Sequence, residues 1–191
     1  NGGNVTAKAA LTADIAQGEV DYQPIGTTAN VFKGELNGNG HSVTLDINRP
    51  DQDYQGLCGV ITDGVWIHDI TVKGSVIGRN SVGGIAGGTN GGANNTAWTK
   101  LERCTNEADI TASNNNAGGM IGVYMNGSAS FEFNDCLNAG TIKGGESGAM
   151  SGWSGGGWSI MRRCLNTGLV NDGGSDFTRE NGTSRVDCYS K

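Results

Sequence analysis

The phrases VGGIAG (82–87), AGGMIG (117–122) and SGAMSG (147–152) are three copies of one short pattern. Each is followed by a second pattern: RCTNEADI (103–110), DCLNAGTI (135–142) and RCLNTGLV (163–170). Looser early copies are QGLCGV (55–60) and DITVKGSV (69–76), and a last partial one is DCYS (187–190). Aligning the second pattern puts Ile70, Cys104, Cys136, Cys164 and Cys188 in one column, with steps of 34, 32, 28 and 24 residues. Six residues on, the column reads Val76, Ile110, Ile142 and Val170; four on, Gly74, Ala108, Gly140 and Gly168; three before, Ile67, Leu101, Phe133 and Met161.

A repeat of this length, made of short apolar stretches broken by Gly, Asn and Ser, describes a coil of strands. No amphipathic segment of period 3.6 competes with it. One unit cannot bury its own apolar face, but stacked units bury a continuous one. The expected fold is therefore all-β, a parallel β-helix or β-solenoid of about five to six rungs, with a repeat of 24–35 residues. The unequal steps place loops of different size at the corners, the longest at 88–99. Residues 1–191 are read as a single solenoid domain, excised from a longer protein, whose ends stack on further repeats.

Composition narrows the function. Thirty-four of the 191 residues are glycine and two are proline, with no Gly-X-Y period, so collagen is excluded. The formal net charge is −6 and the longest basic run is Arg162-Arg163, which argues against nucleic acid as a partner. No run of 18 apolar residues exists, so membrane insertion by a helix is not expected.

In a parallel coil like residues stack on like at roughly 4.7–4.9 Å. The cysteine column is then an interior stack of thiols, too widely spaced at Cβ for disulfides. Two residues after it come Val72, Asn106, Asn138 and Asn166. They either form an amide ladder along the axis or serve a left-handed turn that Asn tolerates; the ladder is preferred. Just before cysteine the sign alternates: Asp69, Arg103, Asp135, Arg163, Asp187. This column is expected to face solvent in a strand, each arginine between two aspartates.

FKGELNGNGHSV (32–43), then QGLCGVI (55–61), then VGGIAG and the C-x-N-x-G/A columns resemble the GLUG-motif repeats of large surface and secreted proteins of gut and oral bacteria. Such repeats include regions flanking immunoglobulin-A-cleaving peptidases. The resemblance covers 11–188 and implies a right-handed parallel β-helix, extracellular display and a structural or adhesive role. It carries over no catalytic residue. The chain departs from the pattern at Cys58, where an aromatic is usual, and in SGAMSG, which breaks the double glycine.

Candidate chemistry is sparse. His41 sits in a turn, NGNGHS, and with His68 gives no Ser/His/Asp order beyond chance. Asp46, Asp51 and Asp53 flank the loop 48–55 and could bind calcium or act as an acid and nucleophile pair; a solvated loop is the preferred reading, with no cofactor and no catalytic residue assigned. Trp98 and Trp158 each lie six residues before a column cysteine, with Trp153 and Tyr124 near them in register. They form either an aromatic strip that stacks on sugar rings or buried corner aromatics. The expectation is a non-catalytic structural or adhesive module, secreted or displayed at a bacterial cell surface, with glycans or surface proteins as partners. A carbohydrate-binding module comes second and a polysaccharide lyase or hydrolase third. The sequons at Asn4, Asn94, Asn126 and Asn181 carry no meaning in a bacterial source.

Overall fold

The computed structural model describes residues 7–17, 21–89, 97–125, 130–155, 158–171, 174–178 and 183–191. The four sequons and most of the 88–99 loop lie outside them. Among the described residues all regular structure is β, wound into a parallel solenoid of about five turns. One face is the row of strands Lys8–Ala10, Glu35–Asn37, Trp66–Gly78, Thr99–Asn106, Ser130–Asn134, Trp158–Arg162 and Thr183–Val186. A second stacks Cys58–Ile61, Ala86–Thr89, Ile121–Met125 and Ser151–Gly155; a third, short one stacks Val82–Gly83, Ala117–Gly118 and Ser147–Gly148.

Register follows the apolar columns. Leu36, Ile67, Leu101, Phe133 and Met161 are successive partners and all are buried. At the next coil Arg185 takes the place, and its guanidinium lies 5.3 Å over the ring of Phe177. The thiols of Cys104, Cys136 and Cys164 are buried, and each donates to a carbonyl one coil back, Ile67, Leu101 and Phe133, at 3.3–3.4 Å. All five cysteines are free. Burial pushes the Cys58 thiol up to about 12 and Cys136 well above its ordinary range, so these thiols behave as small apolar groups.

The two sequence patterns are two walls of one thin coil. The asparagines form a ladder: Asn106 Nδ2 donates to Asn138 Oδ1 at 2.8 Å, and Asn138 Nδ2 to Asn166 Oδ1 at 2.9 Å. Asn166 Nδ2 ends on Ser190 Oγ at 3.3 Å. The same amides donate to the carbonyls two residues on, Ala108 and Gly140. None of the three asparagines is left-handed. Against the ladder, across the interior, lie the second glycines of the other pattern. A Cβ on Gly84 would stand 2.3 Å from Asn106 Oδ1, and one on Gly119 2.5 Å from Asn138 Oδ1. The double glycine is therefore what lets that wall approach the amides.

The charged column differs from expectation. Asp69, Arg103, Asp135, Arg163 and Asp187 all have φ between 50° and 55°, in the left-handed region. They mark a corner: Asp69 and Arg103 bend the long strands Trp66–Gly78 and Thr99–Asn106, and Asp135, Arg163 and Asp187 stand between strands. At this corner inside–outside alternation resets: Leu101 is in, Glu102 and Arg103 out, Cys104 in. Each arginine grips the aspartate of the preceding coil with two hydrogen bonds: Arg103 to Asp69 at 2.5 and 2.9 Å, Arg163 to Asp135 at 2.6 and 2.7 Å. The following aspartates, Asp135 and Asp187, act on these arginines only through space. The column is thus a set of Asp–Arg clips, not the continuous alternating ladder that the sequence suggested.

The Arg103 guanidinium, with His68 second, holds the Asp69 carboxyl at about 2, below the ordinary aspartate range. Its folded value is depressed, so its stabilisation is complete above an unfolded value of about 4 and is lost as pH falls toward 2. Arg103 is about half exposed, so screening keeps the gain near that of surface pairs, about 0.2–1 kcal/mol. Asp69→Asn isolates the charge, because Asn also accepts the left-handed region. The variant should melt below wild type at pH 6 in low salt, and the two should converge near pH 2 and in high salt. Equal melting at every pH would remove the clip from the stability account.

Candidate ligand-binding face

The aromatic strip read from sequence is dispersed. Tyr124 is fully buried and stacks on Phe131, with centroids 4.8 Å apart, so it belongs to the core and not to a binding face. The reason is parity. Tyr124 pairs with Ser154, and Val123 with Trp153, so the two aromatics lie one residue out of register and point to opposite sides. Trp153 is half-buried on the second face. Trp98 and Trp158 share the first face, two coils apart, with Ser130 in the intervening coil paired to Trp158. Trp98 is 38% exposed and Trp158 70%.

The structure adds a residue the sequence reading passed over. Trp66, 37% exposed, opens the strand Trp66–Gly78 and is the register partner of Lys100. Its indole stacks on His68 with centroids 4.0 Å apart and planes 23° apart, and its Nε1 donates to Glu102 Oε2 at 3.2 Å. Gly64, Val65, Trp66, Trp98, Lys100 and Glu102 line an open pocket of about 290 Å³.

Charges on this face are paired. Lys100 lies 3.5 Å from Glu132, which also accepts from Arg162 at 2.5 Å; Arg103 contacts Glu102 as well as Asp69. His68 is nearly buried; its Nδ1 stands 2.6 Å from Asp69 Oδ2 and its Nε2 3.5 Å from Glu35 Oε1, while Lys8 holds the other oxygen of that carboxylate, Oε2, at 2.7 Å. His68 thus lies between Asp69 and Glu35, with its Nε2 buried and without a hydrogen-bond partner among the described residues. His41 stands 3.4 Å from Asp14, beside the turn in which Asn39 and Gly40 are both left-handed.

The three aspartates do not assemble a site. Asp53 is clamped by Arg79 at 2.7 and 2.8 Å and by Asn80. The Arg79 guanidinium holds its carboxyl below the ordinary aspartate range. Asp46 uses its backbone, donating its N–H to Gln17 Oε1 and accepting from Gln17 Nε2. A depression of about 210 Å³ beside Asp53 is walled by Arg49, which is itself engaged by Asp21, the Tyr22 carbonyl and Gln55. Among the described residues no group of three or more His, Cys, Asp or Glu could hold a metal ion.

No family model matches the chain. A protein of Evansella cellulosilytica, named provisionally as a Gly-rich membrane protein, is 41% identical over 68 residues, 35% of this chain and 8% of that protein. Halomucin of Haloquadratum walsbyi is 32% identical over 126 residues, 59% of this chain and 1% of that protein. The chain therefore spans a small fraction of these relatives' lengths. Among solved structures, one provisionally assigned as an immunoglobulin A1 protease from Bacteroides ovatus superimposes with a TM-score of 0.64 over 97% of this chain and 68% of that one, at 15% identity. At that identity the likeness concerns the fold, a parallel β-helix.

Proposed function

We propose that the chain is a non-catalytic β-helical module of a large secreted or cell-surface protein, a rigid structural or adhesive segment. One observation carries the reading: many of the described charged side chains join coil to coil. Lys8–Glu35, Asp53–Arg79, Asp69–Arg103, Lys100–Glu132–Arg162 and Asp135–Arg163 all run along the axis, outside an interior of stacked thiols and amides. Such an arrangement stiffens a rod and leaves His68 and Asp53 committed to structural partners. The resemblance to GLUG-motif repeats and the surface-type names of both relatives support the same reading.

Incubation of the protein with immunoglobulin A1, pectin, alginate and hyaluronan tests it. Cleavage should stay at the buffer blank. Turnover that disappears in Asp51→Ala or Asp53→Ala would replace the module by an enzyme.

A further inference from the structure

We propose that the open pocket between Trp66 and Trp98 is a subsite for an uncharged pyranose ring of a polysaccharide, with Trp158 a further stacking platform on the same face. This goes beyond a structural or adhesive role, which requires no sugar.

A pyranose presents an apolar C–H face and a rim of hydroxyls that donate and accept. The pocket offers the complement: two partly exposed indoles, with Lys100 and Glu102 at its wall. Trp66 is already held on its ring face by His68 and at its edge by Glu102, so little side-chain freedom is lost when a ring stacks on it. Trp98 comes from the next coil, immediately before the strand Thr99–Asn106 that pairs with the strand carrying Trp66, so the two walls of the pocket flank one edge of the same sheet.

Charge selects among ligands that stack. Lys100, Arg103 and Arg162 face Asp69, Glu102 and Glu132 in direct ion pairs, three against three. An acidic sugar or a nucleic acid needs cations free to meet its charge, and here each of these cations already has a carboxylate. A helical peptide needs a longer apolar groove than two indoles provide. The uncharged sugar is left as the ligand whose polar groups these paired ions can hydrogen-bond without being pulled apart.

Affinity electrophoresis of the 191-residue chain in gels containing mannan, galactan, xyloglucan or laminarin, with polygalacturonate and hyaluronan as acidic controls, tests the assignment. At least one neutral polysaccharide should retard the protein and shift its tryptophan fluorescence, with little change on raising the salt to about 0.5 M. Trp98→Ala should weaken that binding about tenfold or more, with an unchanged melting curve. Trp66→Ala should do the same, though it also uncovers His68, which is why Trp98→Ala is the deciding variant. Trp158→Ala should have a smaller effect. Three outcomes overturn the proposal: no neutral polysaccharide binds, binding survives Trp98→Ala, or only acidic polymers bind. Reducing-end release in the same samples would count against the non-catalytic reading and leave the subsite standing.

Discussion

Asn138→Val is expected to lower stability by about 3 kcal/mol and the melting temperature by roughly 6–12 °C. Asn138 is the middle of the amide ladder. It accepts from Asn106 Nδ2 and donates to Asn166 Oδ1 and to the Gly140 carbonyl, all out of contact with water. Valine fits the column sterically, since Val72 occupies it two coils earlier. The cost is therefore the cost of buried groups left unpaired: Asn166 Oδ1 and Gly140 O lose their donor, at about 1–3 kcal/mol each. Asn106→Val supplies the control. Asn106 has valine above it already, and among the described residues no donor reaches its Oδ1. Removing it strands as many acceptors, Asn138 Oδ1 and the Ala108 carbonyl, but orphans no donor and removes an oxygen that was already unpaired. Asn138→Val, in contrast, also leaves one N–H of Asn106 Nδ2 without a partner, so Asn106→Val should cost about half as much. Equal losses would mean that the amides act independently.

Gly118→Ala is expected to cost about 3 kcal/mol or more and to lower the yield of folded protein. Its Cβ would lie 2.0 Å from the Ile121 carbonyl oxygen and 2.8 Å from Gly152 N, and both are backbone atoms that no rotamer change can move aside. Gly83 and Gly148, its register partners, meet the same obstacle at 2.2 and 2.3 Å. The neighbouring column carries Ala149 in the third copy, but at Gly119 a Cβ would stand 2.2 Å from the Ala149 carbonyl oxygen and 2.5 Å from Asn138 Oδ1. Urea midpoints of Gly118→Ala and Gly119→Ala should both fall well below that of the wild type. A silent Gly118→Ala would show that the coil opens at this wall.

The fold was readable because stacking forces like onto like, and the Cys, Asn and Gly columns each answer one physical demand. The left-handed corner was not read, since Asp and Arg share no turn propensity. A signal existed nonetheless: Leu101 and Cys104 both point in but stand three residues apart, an odd step that no regular strand permits. The last coil's copy of the glycine phrase, with Ser175 opposite Gly148 and Thr178 opposite Ser151, contains no glycine pair and escaped for that reason. Phe177 there continues the buried row of Ile85, Met120 and Met150. At the candidate site, Trp98 was found because it keeps a fixed distance to a cysteine. Trp66 was missed because it stands four residues before Ile70 instead of six. Tyr124 was misplaced by a single residue of register, which is enough to send a side chain through the wall.

The asparagine ladder also bears on how such a chain can change length. Each amide in it donates toward the C-terminal coil, and Asn138 and Asn166 accept from the N-terminal one, while Asn106 opens the series next to Val72. A whole coil inserted or removed between two of them brings or takes one donor and one acceptor together. Duplication and deletion of complete units therefore leave the interior polar accounts unchanged, whatever the number of residues in the unit. A partial unit breaks the succession and strands an amide in the dark. The 32- and 28-residue steps between Asn106, Asn138 and Asn166 fit that freedom: loop length drifts, and the order of donor and acceptor does not.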